Sequence, residues 1–387
     1  MGDMVRYSNQ FGYLLCTLVF FESMMNKLLI TVLPIENILG YVMIIVIAFT
    51  ILTNDMFLSK KFLIYYCLIL GMLFTSIIFV GGKSSIEYTV WMFSFSLCGV
   101  FSGFLNIDYK RVFKIGSLIT IVFLLISIVE GFADAKVSSF AFGYALMPGI
   151  LSTFFTLYNE GKKNRYFNGI VWFLVLVLEM LCIIKYCSRS NLLQLYVFAV
   201  LCLLYIFRKK FLGYMGLVSM VLAIIFVKPL IIFLYELTTQ AGIHISAIWK
   251  FHWLLTTANQ SLLHGREELF LGVIDNTNFI TLLLGHGIGA YEKIFGTYAH
   301  NIYLQSLFEF GIVGCLLVIC LYFLVFKQLA DKKNSIAEKE LYIFLMALPF
   351  MKLIFSSVHW RESLFWFAIV IVTKRLYKEK IIIRGIR

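Results

Sequence analysis

Charge is scarce in this sequence: Asp, Glu, Lys and Arg together make up 14% of its 387 residues. Soluble domains carry about 25%, so an ordinary water-facing surface is excluded. Proline is scarcer, at four residues, and aromatics reach 17%, a composition that fits neither a disordered chain nor a collagen-like one. The eight cysteines never form C-x-x-C and fall mostly inside apolar runs. They read as small membrane hydrophobes, with neither a disulfide framework nor a zinc site implied. No tandem repeat is visible, and the two halves do not mirror each other in loop length or charge. Many transporters carry such internal symmetry, so its absence weighs mildly against transport.

What the chain has is apolar length. Hydrophobic residues make up 61% of it and its mean hydropathy is +0.91. Spanning a hydrocarbon core of about 30 Å takes roughly 20 apolar residues as helix. Runs of that kind lie near 11–31, 37–53, 62–80, 86–105, 112–129, 140–158, 168–185, 190–207, 211–235, 299–326, 341–357 and 362–377. They predict an all-α integral membrane protein of about twelve transmembrane helices. The first run is expected to stay as a helix, because Glu22, Asn26 and Lys27 stand where a signal peptide would need small residues for cleavage.

Lys and Arg set the orientation, because cytoplasmic loops retain positive charge. With both termini in the cytoplasm, two thirds of the 33 basic residues fall on cytoplasmic segments. The net charge of +12 is then mainly a topology signal, and nucleic acid is not an expected partner. The layout is nine spans over 1–235, an extracytoplasmic loop over 236–299, and three spans with a basic cytoplasmic tail over 300–387. Unstructured loops longer than about 12–15 residues are uncommon unless functional or disordered. This loop is neither polar nor low in complexity, and residues 245–255 mix Trp249 and Trp253 with Lys250 and His252. It is expected to fold as a cap over the outer face, lying partly on the membrane surface. All six histidines fall in this loop or at outer helix ends, so any chemistry is expected outside.

Positive charge on the outer side runs against the topology rule. Arg189 lies in a short outer turn, Cys187-Ser-Arg-Ser-Asn191, with Lys185 just before it. Both can snorkel to lipid headgroups. Alternatively, Ser190 or Asn191 caps the next span, whose free N–H groups and dipole favour a phosphate that the Arg189 fork binds bidentately. Arg266 is the only arginine of the long loop and is followed by Glu267 and Glu268, so a weak surface salt bridge is its plain alternative. The glycine-rich segment 284–290 lacks the Lys-Ser/Thr of a phosphate loop, and its glycines read as a tight turn under the cap. His300, Asn301, Tyr303, Gln305 and Glu309 enter the tenth run together. Asn301, Gln305 and Glu309 recur at i+4, which predicts one inward face, with Tyr303 a turn from His300. Buried polar groups in a bilayer are functional by default, although a histidine near the headgroups can simply be solvated. Glu22, Glu179, Lys228, Lys352, Arg361 and Glu362 read as structural polar pairs.

With these residues in view, the sequence resembles the O-antigen polymerase and O-antigen ligase family of bacterial polysaccharide membrane enzymes. The match rests on Ser188-Arg189-Ser190 opening a span, then on Gly265-Arg266 and Leu284-Gly-His-Gly-Ile-Gly289 in the outer loop. It ends with Ala299-His300-Asn301-Ile-Tyr-Leu304 leading into Glu309-Phe-Gly311-Ile-Val-Gly314. It covers about residues 185–325.

The resemblance implies inverting, metal-independent glycosyl transfer from a polyprenyl-diphosphate-linked oligosaccharide on the outer face of the inner membrane, with no cofactor. It implies diphosphate binding by Arg189 and Arg266 and a base at His300. Supporting places fall to Ser188, Ser190, Asn301, Tyr303 and Glu309. Membrane lipids and a chain-length regulator are the further partners it implies. Some polymerases of the family carry two arginine-rich outer loops, whereas this chain has one large loop with one arginine. A polymerase joining repeat units is the favoured expectation, a ligase moving finished polymer to another acceptor is the first alternative, and a flippase for the same lipid-linked units is the alternative from another class.

Overall fold

The computed structural model describes residues 10–32, 38–53, 64, 70–71, 83–129, 139–163, 166–186, 189–207, 211–243, 246–256 and 266–385. Among them every regular element is a helix. Three helices are long and apolar enough to cross a membrane: Tyr109–Ile128, Ala141–Lys162 and Ile302–Ala330. Shorter apolar helices, among them Gln10–Phe20, Ile38–Thr53 and Ser190–Tyr205, accompany them.

The burial pattern is that of a membrane protein. Leu118, Val122 and Leu125 are exposed, as are Val313, Leu316 and Leu317, at spacings that make an outward apolar stripe. The interior holds buried polar residues instead, including Ser117, Thr120, Ser152, Thr153 and Glu179. Water would reject the first arrangement, whereas hydrocarbon accepts it. The inward polar groups join helices. Ser117 Oγ lies 3.0 Å from Thr156 Oγ1, and Thr153 donates to Glu179 Oε1 at 2.8 Å. Such bonds between membrane helices are worth about 0.6–2 kcal/mol.

Two packing devices hold the bundle. Phe20 sits among Phe113, Phe344 and Phe367, with ring centroids 6.2, 5.2 and 5.1 Å away, tying four helices through one side chain. Gly99 and Gly103, one turn apart in the Leu97–Phe104 helix, let it close on the Ser363–Gly385 helix. A Cβ at Gly99 would lie 1.9 Å from the Ser363 carbonyl oxygen. Lys374 then donates to the carbonyls of Gly103 and Phe104 at 3.0 and 3.2 Å, satisfying acceptors that the end of that helix leaves open.

Several apolar runs are not single helices. The first divides into Gln10–Phe20 and Glu22–Val32, and that over 211–235 divides at Phe226 into Phe211–Ile225 and Val227–Gln240. The run over 341–357 holds a π turn at Met346–Phe350 that contains Pro349, whose missing N–H cannot close the usual α bond. Hydropathy is blind to such breaks because the flanking residues stay apolar.

The most consequential break lies in the Ile302–Ala330 helix, where Gly311 takes φ 68 and ψ −164. A Cβ there would sit 2.2 Å from the Leu283 carbonyl oxygen. Left-handed backbone adds about 1–2 kcal/mol for any other residue. Gly311→Ala is therefore expected to lower the thermal midpoint of the purified protein, and unchanged melting would show that the break is not needed.

Residues 236–299 are largely helical where described. Helices at Ser246–Thr256, Arg266–Asp275, Phe279–Leu284 and Ala290–Phe295 occupy the segment read as the long loop. Part of it has its own core, in which Val273, Ala290, Tyr291 and Ala299 pack with Leu304 and Phe308 of the long helix. This segment is therefore anchored to the start of that helix.

Candidate functional site

The glycine-rich segment and the helix break form one unit. Gly285, Gly287 and Gly289 all have positive φ, and the turn they make lays backbone directly on the broken helix. His286 N–H donates to the Phe308 carbonyl at 2.8 Å and Gly287 N–H to that of Glu309 at 2.9 Å. The break at Gly311 interrupts the helical bonding of those carbonyls, and irregular backbone at membrane depth is tolerated only where protein satisfies it. The His286 ring stacks on Phe308 at 4.1 Å, and its Nε2 lies 3.1 Å from the Asn276 carbonyl oxygen.

Glu309 ties this unit to the rest of the fold. Its Oε1 accepts from Gly289 N–H at 3.0 Å and from Gln305 Nε2 at 3.1 Å, and its Oε2 accepts from Trp360 Nε1 at 3.2 Å. Gln305 also donates to Glu292 at 3.0 Å. Burial raises the Glu292 carboxyl above the usual carboxylate range. His359 Nε2 lies 4.0 Å from Glu309 Oε2, beyond hydrogen-bond reach. Burial pushes the imidazole down to about 3, so it is neutral at physiological pH and the pair is not a salt bridge.

His300 directly precedes the helix. It is the one non-glycine residue with positive φ, 54, among those described. Asn301 follows as the cap, its side-chain oxygen accepting from the N–H groups of Tyr303 and Leu304 at 2.9 and 3.2 Å. A strained residue persists only where its surroundings determine it. Here the Asn301 cap follows it, and before it Ala299 is packed in the local core and Tyr298 is bonded to Ser356. The His300 ring lies against Tyr298, with centroids 4.0 Å apart, and the Tyr298 hydroxyl donates to the Ser356 carbonyl at 3.3 Å.

From Ser356 a band of polar contacts crosses the bundle. Ser357 donates to Glu362 Oε1 at 2.5 Å, and Glu362 pairs with Lys352. Lys352 stands over the Tyr144 ring, 5.5 Å from its centroid, and the Tyr144 hydroxyl donates to Ser190 Oγ at 2.7 Å. Ser363 bonds Glu22 through both its hydroxyl and its backbone N–H. Ser190 and His300 thus lie at the two ends of one chain of contacts, polar except where His300 meets the Tyr298 ring and Lys352 the Tyr144 ring. A cavity of about 30 Å³ opens along it, lined by Glu22, Ser23, Tyr144, Gln194, Lys352 and Glu362 among others.

Several expectations need correction. Asn301 does not share a helical face with Gln305 and Glu309, because it is the cap and spends its side chain on backbone N–H groups. Tyr303 packs against Tyr322 at 5.4 Å, and the aromatic neighbour of His300 is Tyr298. Neither Ser190 nor Asn191 caps the next helix, because the described helix runs from Arg189 and both lie within it. Ser188, also expected to support the site, lies outside the described residues. The backbones of Arg189 and Arg266 are the first described residues of their helices, and their side chains lie outside the described residues.

Sequence reasoning missed the segment Ser356-Ser-Val-His-Trp-Arg-Glu-Ser363 as a hub, together with Tyr144 and Gln194. The signal was a short polar interruption between two apolar runs. A second signal was the i, i+4 pairing of Ser190 with Gln194 on one helix face. Among the described residues no group of three or more His, Cys, Asp or Glu is placed to hold a metal ion. Comparison with protein families, with curated proteins and with solved structures finds no match.

Proposed function

We propose that this protein is a polytopic membrane glycosyltransferase of the O-antigen polymerase and ligase type. In this reading it has about twelve spans in the bacterial inner membrane, with residues 236–299 on the outer face. It joins polyprenyl-diphosphate-linked oligosaccharide repeat units there. The observation that carries the reading is the union of the segments on which the resemblance rests. Residues 284–289 and 299–314 bond to each other through Gly287 and Gly289, and the chain of contacts leads from His300 to Ser190, beside Arg189.

The chemistry asked of these residues is modest. The acceptor hydroxyl oxygen attacks the anomeric carbon and a new C–O bond forms there. The bond to the diphosphate breaks, and the diphosphate leaves with the electron pair. The acceptor proton passes to the His300 imidazole, a base suited to neutral pH. Growing charge on the leaving diphosphate is met by Arg189 and Arg266. Preorganised cationic charge then replaces a general acid.

The test is the electrophoretic profile of lipid-linked and surface glycans from cells with and without this gene. Loss of the gene is expected to leave single lipid-linked repeat units on the outer face, with no ladder. Long lipid-linked polymer that is never transferred would make the protein a ligase, and units retained on the inner face would make it a flippase.

A further inference from the structure

The cavity beside Lys352 is lined by groups of opposite demand. Glu22 and Glu362 bring two carboxylates, Lys352 one ammonium, and Tyr144 and Gln194 neutral polar atoms. Glu362 is satisfied by Lys352 and Ser357, and Glu22 by Ser363. Gln194 stands apart from them. It is 1% exposed, and neither its amide nitrogen nor its amide oxygen has a hydrogen-bond partner among the described residues. A buried amide without partners is an anomaly that asks for a ligand. Gln194 lies one helical turn below Ser190, on the helix whose first described residue is Arg189, so the cavity adjoins the proposed diphosphate site.

The lining selects the ligand's chemistry. Two carboxylates repel a phosphate, and an ammonium in the same cavity repels a metal cation. A neutral hydroxyl suits both, because it donates to a carboxylate oxygen or to the amide oxygen and accepts from the amide N–H or the ammonium. Size narrows the choice further. A buried water needs about 10–15 Å³ of such space, so 30 Å³ has room for one hydroxyl or hydroxymethyl arm. We infer that this cavity receives a hydroxyl or hydroxymethyl arm of the donor saccharide and that Gln194 is its principal hydrogen-bonding partner. The inference rests on the glycosyltransferase reading, within which it assigns a subsite that registers the sugar next to the diphosphate.

The test uses purified full-length protein in nanodiscs, with lipid-linked repeat units extracted from cells that lack the gene. Gln194→Met keeps the volume and removes both polar atoms, while Gln194→Asn withdraws the amide by one methylene. Gln194→Met is expected to raise KM for the lipid-linked unit about tenfold, with kcat within about twofold of wild type and a thermal midpoint no lower. Gln194→Asn is expected to fall between the two. Unchanged KM in both variants would overturn the subsite, because the cavity would then hold only water. A lowered midpoint in Gln194→Met with unchanged KM would overturn it as well, since the amide would be structural. Wild-type protein that builds no ladder from these units would remove the polymerase reading, and the subsite with it.

Discussion

His300→Ala is expected to reduce glycan polymerisation by about 10²–10⁴-fold, the usual loss when a general base is removed, with the protein still inserted and folded. The geometry allows chemistry and folding to be separated at this position. His300 holds φ 54, a conformation that adds about 1–2 kcal/mol for a residue with a Cβ, so a backbone cost is carried at this position. His300→Gly removes that strain together with the imidazole. It is expected to melt at or above the wild-type temperature and to be as inactive as the alanine variant. Chain-length profiles from complemented cells and thermal melts of purified protein read the two effects independently. A near-normal ladder from either variant would remove His300 from the role of base.

Glu309→Ala is expected to have the largest effect on stability. The side chain accepts from Gly289, Gln305 and Trp360, so its removal strands the Gly289 N–H and the Trp360 indole N–H and leaves Gln305 to its bond with Glu292. Each orphaned donor destabilises by roughly 1–3 kcal/mol, and whole proteins are stable by only about 5–15 kcal/mol. The damage should start locally, because these bonds dock the glycine unit and the Trp360 segment on the broken helix. Limited proteolysis is expected to cut within 279–299 in the variant and to spare wild type there. Glu309→Gln keeps the shape but turns an NH₂ toward a donor, and should fall between. If Glu309→Ala were as protease-resistant as wild type, Glu309 would not be the tie between the cap and the bundle.

Much of the architecture was legible because it follows from composition. The long apolar helices Tyr109–Ile128, Ala141–Lys162 and Ile302–Ala330 appear where the runs over 112–129, 140–158 and 299–326 place them. The glycines of 284–290 make the turn that their φ freedom allows. Tyr298 was hidden beside Tyr303 because both are tyrosines near His300, and only the left-handed turn at His300 decides which one meets the ring. Gln194 was hidden for a different reason. A single amide in an apolar helix gives no sign of which way it faces until the opposite wall is known. That wall comes from residues 22, 144, 352 and 362, which only packing gathers.

The sequence by itself determined that the chain is helical and membrane-spanning in character, because hydropathy and charge are sums over residues and do not depend on which helix meets which. It also marked His300, Glu309 and the glycine unit, since unusual residue types at short spacing are local signals. Tertiary structure decided the rest: that Glu309 joins the glycine turn to Trp360, that Asn301 is a helix cap residue, and that residues 356–363 lie between His300 and Ser190. The first and last are contacts across the bundle and the second is a backbone detail of one helix start, and apolar composition reports neither kind.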